Sequence, residues 1–252
     1  IPRGSHRNAV GAPCACSVGV DVSTDLVIAA RGLSKNYGER EALVELDLDI
    51  PRGTCHGLLG PNGSGKTTFL KLVSGLFRPS AGTLEVCGLA MPKNALEVRR
   101  RLGVLLDQPL VPHHLPLAQA LAYVGDLHGG KIPTERANLL LERVGLTWRR
   151  RDPIRTFSRG MAQRASLACA LLPDPELLIL DEPFTGLDPL GCKLVEDVIG
   201  EQVAAGRTVI LVTHELRRAE RLCETVTWLD RGRAVRTTER GEWRADEIQG
   251  VA

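Results

Sequence analysis

GLLGPNGSGKTTFL, residues 57–70, decides the reading of this chain. Within it Gly60, Pro61, Asn62, Gly63, Ser64, Gly65, Lys66, Thr67 and Thr68 fit G-x-x-x-x-G-K-[ST], with Gly60, Gly65, Lys66 and Thr67 at the fixed positions. The apolar Gly57-Leu58-Leu59 ahead of the loop reads as a buried strand, and Phe69 to Leu76 has helical spacing. Strand, glycine-rich loop and helix in that order make an anion site. Backbone N–H groups of the loop and of the helix's first turn converge on one point, where the helix dipole adds partial positive charge. The glycines let the backbone approach phosphates closely. Lys66 is expected at the β- and γ-phosphates, and the Thr67 hydroxyl on Mg²⁺. Nucleotide binding follows.

A chain of 252 residues is long enough for one large α/β domain, or a domain with a subdomain. Its net charge of +2 gives no case for nucleic acid, and the basic run Arg149-Arg150-Arg151 reads as a solvated loop. No apolar segment approaches the roughly 20 residues of a membrane-spanning helix, so a membrane role needs the span from another chain. Seven cysteines, an odd number without metal-ligand spacing, fit reduced thiols in a cytosolic protein. Residues 1–24 are expected to be disordered or an engineered leader, since IPRGSH resembles a protease-site remnant and no signal-peptide core follows.

Leu26 to Ala30 predicts a first strand, and Arg31 to Arg40 a polar segment with a turn at Gly38 that includes Tyr37. From Val44 to Ile50 the residues alternate, with Val44, Leu46, Leu48 and Ile50 on the inner face of an antiparallel strand. Strands follow at Cys55 to Leu59, Thr83 to Cys87 and Gly103 to Leu106. From Pro109 to Phe157 strand signals stop: Leu117, Leu121 and Val124 share one helical face, and Leu140 and Val144 suit a second helix ending at Gly145. Continuous apolar runs then return at Leu177 to Leu180, Val209 to Thr213 and Val226 to Leu229, separated by helices. Alternating strands and helices imply a mainly parallel sheet. The expected organisation is an α/β domain over 25–238, with an N-terminal antiparallel β subdomain and an α-helical insertion over about 109–160. A short polar tail, 239–252, follows.

Leu177 to Glu182 is an apolar strand ending in two acids, the position at which open α/β sheets place their ligands. Asp181 is expected to hold Mg²⁺ opposite Thr67, and Glu182 to act as general base on an attacking water. His214 ends the next buried strand, where a γ-phosphate should lie, and Gln108, just past a strand, could reach the metal or the water. His113 and His114 lack further ligands nearby and read as an exposed turn.

The order Tyr37, GPNGSGKT, Gln108, FSRGM (157–161), LLILDEP (177–183), TGLD (185–188) and THE (213–215) resembles the nucleotide-binding subunit of an ATP-binding cassette protein. The resemblance covers about Leu26 to Val235. It implies that Tyr37 stacks on adenine, that Gln108 lies in a loop coupling the site to a partner, that His214 contacts the γ-phosphate, and that Asp188 lies in a loop signalling across a dimer. FSRGM departs from the common LSGGQ: Ser158 and Gly160 match, Phe157 replaces Leu, Arg159 a glycine and Met161 the glutamine. Ser158 can still cap the following helix and aim it at a phosphate held by another subunit. Arg159 either turns outward or crowds that approach. A basic residue there and Met after Gly resemble the export-type cassettes, including haem-exporter and ABC-2-like ATPases.

The resemblance implies an ATPase with ATP and Mg²⁺ as cofactors that pairs head-to-tail with a second nucleotide-binding subunit, as a homodimer or a heterodimer. It powers a membrane transporter, an exporter by the signature, whose membrane-spanning subunits are separate chains. Its place is cytoplasmic, peripheral on the inner face of the cell membrane. Two alternatives stay open here: a soluble cassette ATPase of cofactor assembly, repair or translation, and a degenerate cassette that hydrolyses weakly.

Overall fold

Every residue of Leu177–Asp181 is buried, and so is every residue of Cys55–Leu59 and Thr208–Val212. Three such strands need cover on both faces, and the fold supplies it. A computed structural model describes residues 25–106, 111–130 and 132–245. In chain order its first part comprises β1 (Leu26–Tyr37), β2 (Arg40–Pro51), β3 (Cys55–Leu59), α1 (Lys66–Val73), β4 (Ala81–Val86), β5 (Leu89–Met91), α2 (Ala95–Arg100) and β6 (Leu102–Leu105). Then come α3 (Leu117–Leu127), α4 (Thr134–Arg143), α5 (Arg159–Leu171), β7 (Leu177–Asp181), α6 (Pro189–Ala204), β8 (Thr208–Val212), α7 (Leu216–Leu222), β9 (Thr225–Asp230) and β10 (Arg233–Glu239).

The central sheet has the order β10-β9-β3-β8-β7-β6, parallel throughout except for β10. Its side chains alternate between two cores. Leu58, Ile179, Ile210 and Val212 pack with α1 and an antiparallel sheet of order β2-β1-β4-β5. Leu59, Leu178, Leu180, Val209 and Leu211 pack on the other face with α5, α6 and α7. Each fully buried leucine or isoleucine contributes roughly 1.5–3 kcal/mol. A third cluster, with Leu117, Leu121, Val124, Leu141 and Val144, lies among α3, α4 and α5. Leu140, expected inside, is half-buried.

Three local expectations are corrected. Tyr37 is not part of the turn at Gly38: β1 runs through the polar stretch to Tyr37, because its backbone pairs with β2 as far as Arg40. On β2 the alternation breaks at Glu45, which takes a left-handed φ of 45°, so Leu43 enters the core and Val44 is half-buried. After Glu239 the residues are not uniformly polar in environment, since Trp243 and Ala245 are buried against the helical face of the sheet.

His56 on β3 lies inside this core with no exposure; its Nδ1 bonds Thr225 Oγ1 at 2.7 Å, and Nε2 has no partner among the described residues. Burial lowers its pKa from 6.5 to about 4. As pH falls, the unfolded chain takes up this proton near 6.5 and the folded chain only near 4, so stability is lost across that window. The loss amounts to up to about 3 kcal/mol. In His56→Asn, thermal melting followed from pH 7 down to 4 should therefore show a shallower acid slope than the unsubstituted chain.

Candidate active site

The glycine-rich loop is held from two sides. Gly65, the N-cap of α1, has φ 108°, and a Cβ there would stand 2.6 Å from Ala42 O and 2.7 Å from Leu43 Cδ2 of β2. At Gly60 a Cβ would stand 2.0 Å from Leu229 O of β9. Backbone bonds complete the grip: Gly232 N–H donates to Ser64 O at 3.0 Å, and Val44 N–H donates to Gly232 O at 2.9 Å. Inside it, the Lys66 ammonium donates to Gly60 O at 2.7 Å and to Pro61 O at 2.9 Å. Burial lowers the Lys66 pKa against the pull of Glu182 and Asp181, which raise it. Ser64 Oγ is buried without a hydrogen-bond partner among the described residues. A buried hydroxyl left unpaired inside a cradle of this shape fits an anionic ligand with several oxygens. Arg40, not singled out from the sequence, brings Nη2 within 3.9 Å of where a Gly63 Cβ would lie.

The carboxyl ends of the adjacent strands β7 and β8 bring the remaining groups to this loop. Thr67 Oγ1 donates to Asp181 Oδ2 at 3.4 Å, and Asp181 is buried. Glu182 takes a left-handed backbone, φ 49°, at a cost of about 1–2 kcal/mol. Its N–H donates to Val212 O at 2.9 Å, and its carboxylate Oε2 accepts from His214 Nδ1 at 2.8 Å. An ionised carboxylate only accepts, so Nδ1 carries the hydrogen. His214 is open to solvent, its side chain 75% exposed against 26% for Glu182. The strand-end acids, the loop and the histidine are thus one constellation.

Of the other residues named from sequence, Tyr37 ends β1, 42% exposed and edge-on to Phe77 at 5.8 Å, with Lys35 Nζ 5.4 Å over its ring. Ser158 Oγ accepts from Met161 N–H at 3.3 Å and caps α5. Gly160 packs on the 185–188 segment, where a Cβ would meet Gly186 O at 2.8 Å. Among the described residues no hydrogen bond joins Ser158 or Gly160 to the loop of their own chain. Asp188 caps α6, accepting from Gly191 N–H at 2.8 Å, with Pro189 next in the first turn. That Asp-Pro pair was a legible helix start. Arg159 lays its aliphatic stem over Gly186: its Cδ and Cγ stand 2.8 and 2.9 Å from where a Cβ would be. Gln108 lies outside the described residues. His113 and His114 are exposed, and no group of three metal-ligating side chains occurs among the described residues.

The family model described as ABC transporter matches residues 43–185. The chain belongs to the ABC transporter family. Over 227 residues it is 41% identical to a daunorubicin resistance ATP-binding protein of Streptomyces coeruleorubidus, covering 89% of this chain and 70% of that one. Over 219 residues it is 36% identical to the Nod factor export ATP-binding protein I of Ralstonia nicotianae, covering 86% and 68%. Among solved structures, an ATP-binding subunit of an ABC transporter superposes with a TM-score of 0.82 at 29% identity, over 89% of this chain and 98% of that one. A dimeric ATP-binding cassette bound to ADP and Pi shares the fold, with a TM-score of 0.79 at 22% identity, over 86% and 100%. The chain is the ATP-binding, ATP-hydrolysing subunit of such a transporter, a P-loop α/β domain. No helix of the described residues is long and apolar enough to cross a membrane.

An apolar cavity of about 330 Å³ lies away from the loop, between the end of β6, α2 and α3. Leu96, Tyr123 and Leu127, all exposed, line it, and so do Leu105 and Leu106.

The grip on the loop makes Gly65→Ala costly: the overlap with Ala42 O and a strained φ together should exceed about 2 kcal/mol. Its melting temperature should fall, and ATP titration should show lost affinity even where the chain remains folded.

Proposed function

We propose that this subunit hydrolyses ATP with Glu182 as general base, and that its cycle drives export of a solute through separate membrane-spanning chains. The observation that carries the reading is the convergence of Lys66, the Thr67–Asp181 pair and the Glu182–His214 pair on one loop. The loop residues Gly60 to Thr68 bind the triphosphate through backbone N–H groups, and Lys66 exchanges its carbonyl partners for the β- and γ-oxygens. Glu182 has one carboxylate oxygen on His214 and the other available to take a proton from an attacking water. His214, exposed at the strand end, meets the γ-phosphate. Tyr37 supplies a face for adenine at the open edge of its ring pair.

Mg²⁺ fits the donor set, since Thr67 Oγ1 and Asp181 Oδ2 are hard oxygen donors that already face each other. When bound, it neutralises charge on the phosphates.

Ser158 caps α5 at its N-terminus, and among the described residues neither it nor Gly160 bonds to the loop of its own chain; this arrangement supports head-to-tail pairing with a second nucleotide-binding subunit. There the capped N-terminus of α5 serves the other subunit's ATP. Loss of the γ-phosphate removes the contacts that bridge the halves, and the pair opens. The apolar cavity beside α3 supports docking of the membrane partner, and Gln108, at its edge in sequence, would couple that partner to the site. The names of the two curated relatives, drug resistance and Nod factor export, support outward transport. The subunit would then be peripheral on the inner face of the cell membrane, its domain spanning about 25–238 with the helical insertion at about 109–160. The hydrogen-bonded Glu182–His214 pair speaks against a degenerate site.

Glu182→Gln should keep ATP affinity, lower turnover at least a hundredfold and run as a dimer on a sizing column with ATP. Lys66→Ala should lose ATP affinity itself. A tagged chain drawn from its own membranes in mild detergent should bring a polytopic membrane protein in near-equal amount; recovery with soluble proteins alone would defeat the transport reading.

A further inference from the structure

Glu182 stands where a glycine would be easier. Its φ of 49° turns the chain sharply out of β7, and the turn is held through both of its backbone groups. The N–H donates to Val212 O at 2.9 Å, which keeps Glu182 in register with β8. The carbonyl accepts twice: from Thr185 N–H at 3.2 Å, closing the local turn, and from the side-chain amide of Gln163 at 3.3 Å. Among the described residues Gln163 is the one partner from outside the segment that grips this carbonyl. It comes from the first half of α5, the helix that Ser158 caps. The same helix holds the far end of the segment, where Arg159 and Gly160 pack on Gly186. Between these two attachments Phe184 is buried, with the Arg218 guanidinium 4.7 Å over its ring.

We propose that Gln163 is a positioning residue for Glu182. Its amide N–H₂ fixes the Glu182 carbonyl on the α5 side, which holds the left-handed backbone and so aims the carboxylate at His214 and the loop. The proposal rests on the reading of Glu182 as general base. Four residues C-terminal to Arg159, Gln163 bonds neither the loop nor His214 among the described residues, so its effect passes through the Glu182 backbone. Without the amide donor, the carbonyl keeps only its local bond to Thr185, and the carboxylate samples directions that do not reach the water. Binding of ATP, made by Gly60 to Thr68, is untouched.

The test is steady-state ATP hydrolysis by the 252-residue chain and its Gln163→Met, Gln163→Glu and Glu182→Gln variants, with thermal melting of each. Gln163→Met keeps length and removes the donor. It should lower kcat about tenfold to a hundredfold while KM for ATP and the melting temperature stay within error of the unsubstituted chain. Gln163→Glu, which sets an acceptor against the carbonyl, should lose at least as much. An unchanged kcat in both variants overturns the proposal. A rise in KM with a lowered melting temperature also overturns it, since a merely structural glutamine would do that. Full turnover in Glu182→Gln would instead sink the general-base reading, a failure separate from that of Gln163.

Discussion

Three backbone strands meet at the glycine-rich loop with no room for a side chain between them. Val44 of β2 donates to Gly232, Gly232 donates to Ser64, and Ser64 sits in the loop, so a line of amide bonds runs from the antiparallel sheet through the β9–β10 turn into the phosphate cradle. On either side Ala42 O and Leu229 O press within a few ångströms of the Gly65 and Gly60 Cα atoms. Everything else in the site is placed relative to this junction. The two sheets cannot shift against each other without opening the loop, and the loop cannot relax while both sheets hold it. Preorganisation here is a property of the backbone, backed by the fully buried Leu43, Leu59 and Leu229, while the chemistry is carried by a few side chains at strand ends.

The strained backbone of Glu182 has the same logic at a second place. Asp181 can end β7 with ordinary geometry because its task is to face Thr67 across the strand end. Glu182, one residue on, has to point its carboxylate along the neighbouring strand toward His214, and a continued strand would send it to the opposite face. The left-handed turn solves that problem, and packing on β8 and α5 sustains it.

How much of this was readable in the chain depended on the range of the interactions involved. Strand, loop and helix around Lys66 were legible because glycine spacing and an apolar run are local signals. Leu177 to Glu182 was legible because a strand covered on both faces must be continuously apolar. The core assignment of Val44 failed for a non-local reason: the bulge at Glu45 belongs to the pairing of β2 with β1, and nothing in VELDLDI announces it. β10, RAVRTTE, escaped notice because it is an edge strand with only Thr238 buried, so its composition carries no alternation. Gln163 gave no sign at all. A glutamine in a helix is an ordinary residue until the fold puts a carbonyl in front of it.

Helix α5 is a shared wall. Leu167, Ala170 and Leu171 face the central sheet, while Ala165, Ala168 and Cys169 face the cluster around α3 and α4. Its small side chains follow from that double service, because bulk added toward one neighbour pushes the helix into the other. Its sequence is accordingly hemmed in from both directions, whereas the outward surfaces of α3 and α4 answer to one core only. A lineage adapting this subunit to a new partner therefore has freedom to vary α3 and α4 and almost none in the wall that separates them from the sheet.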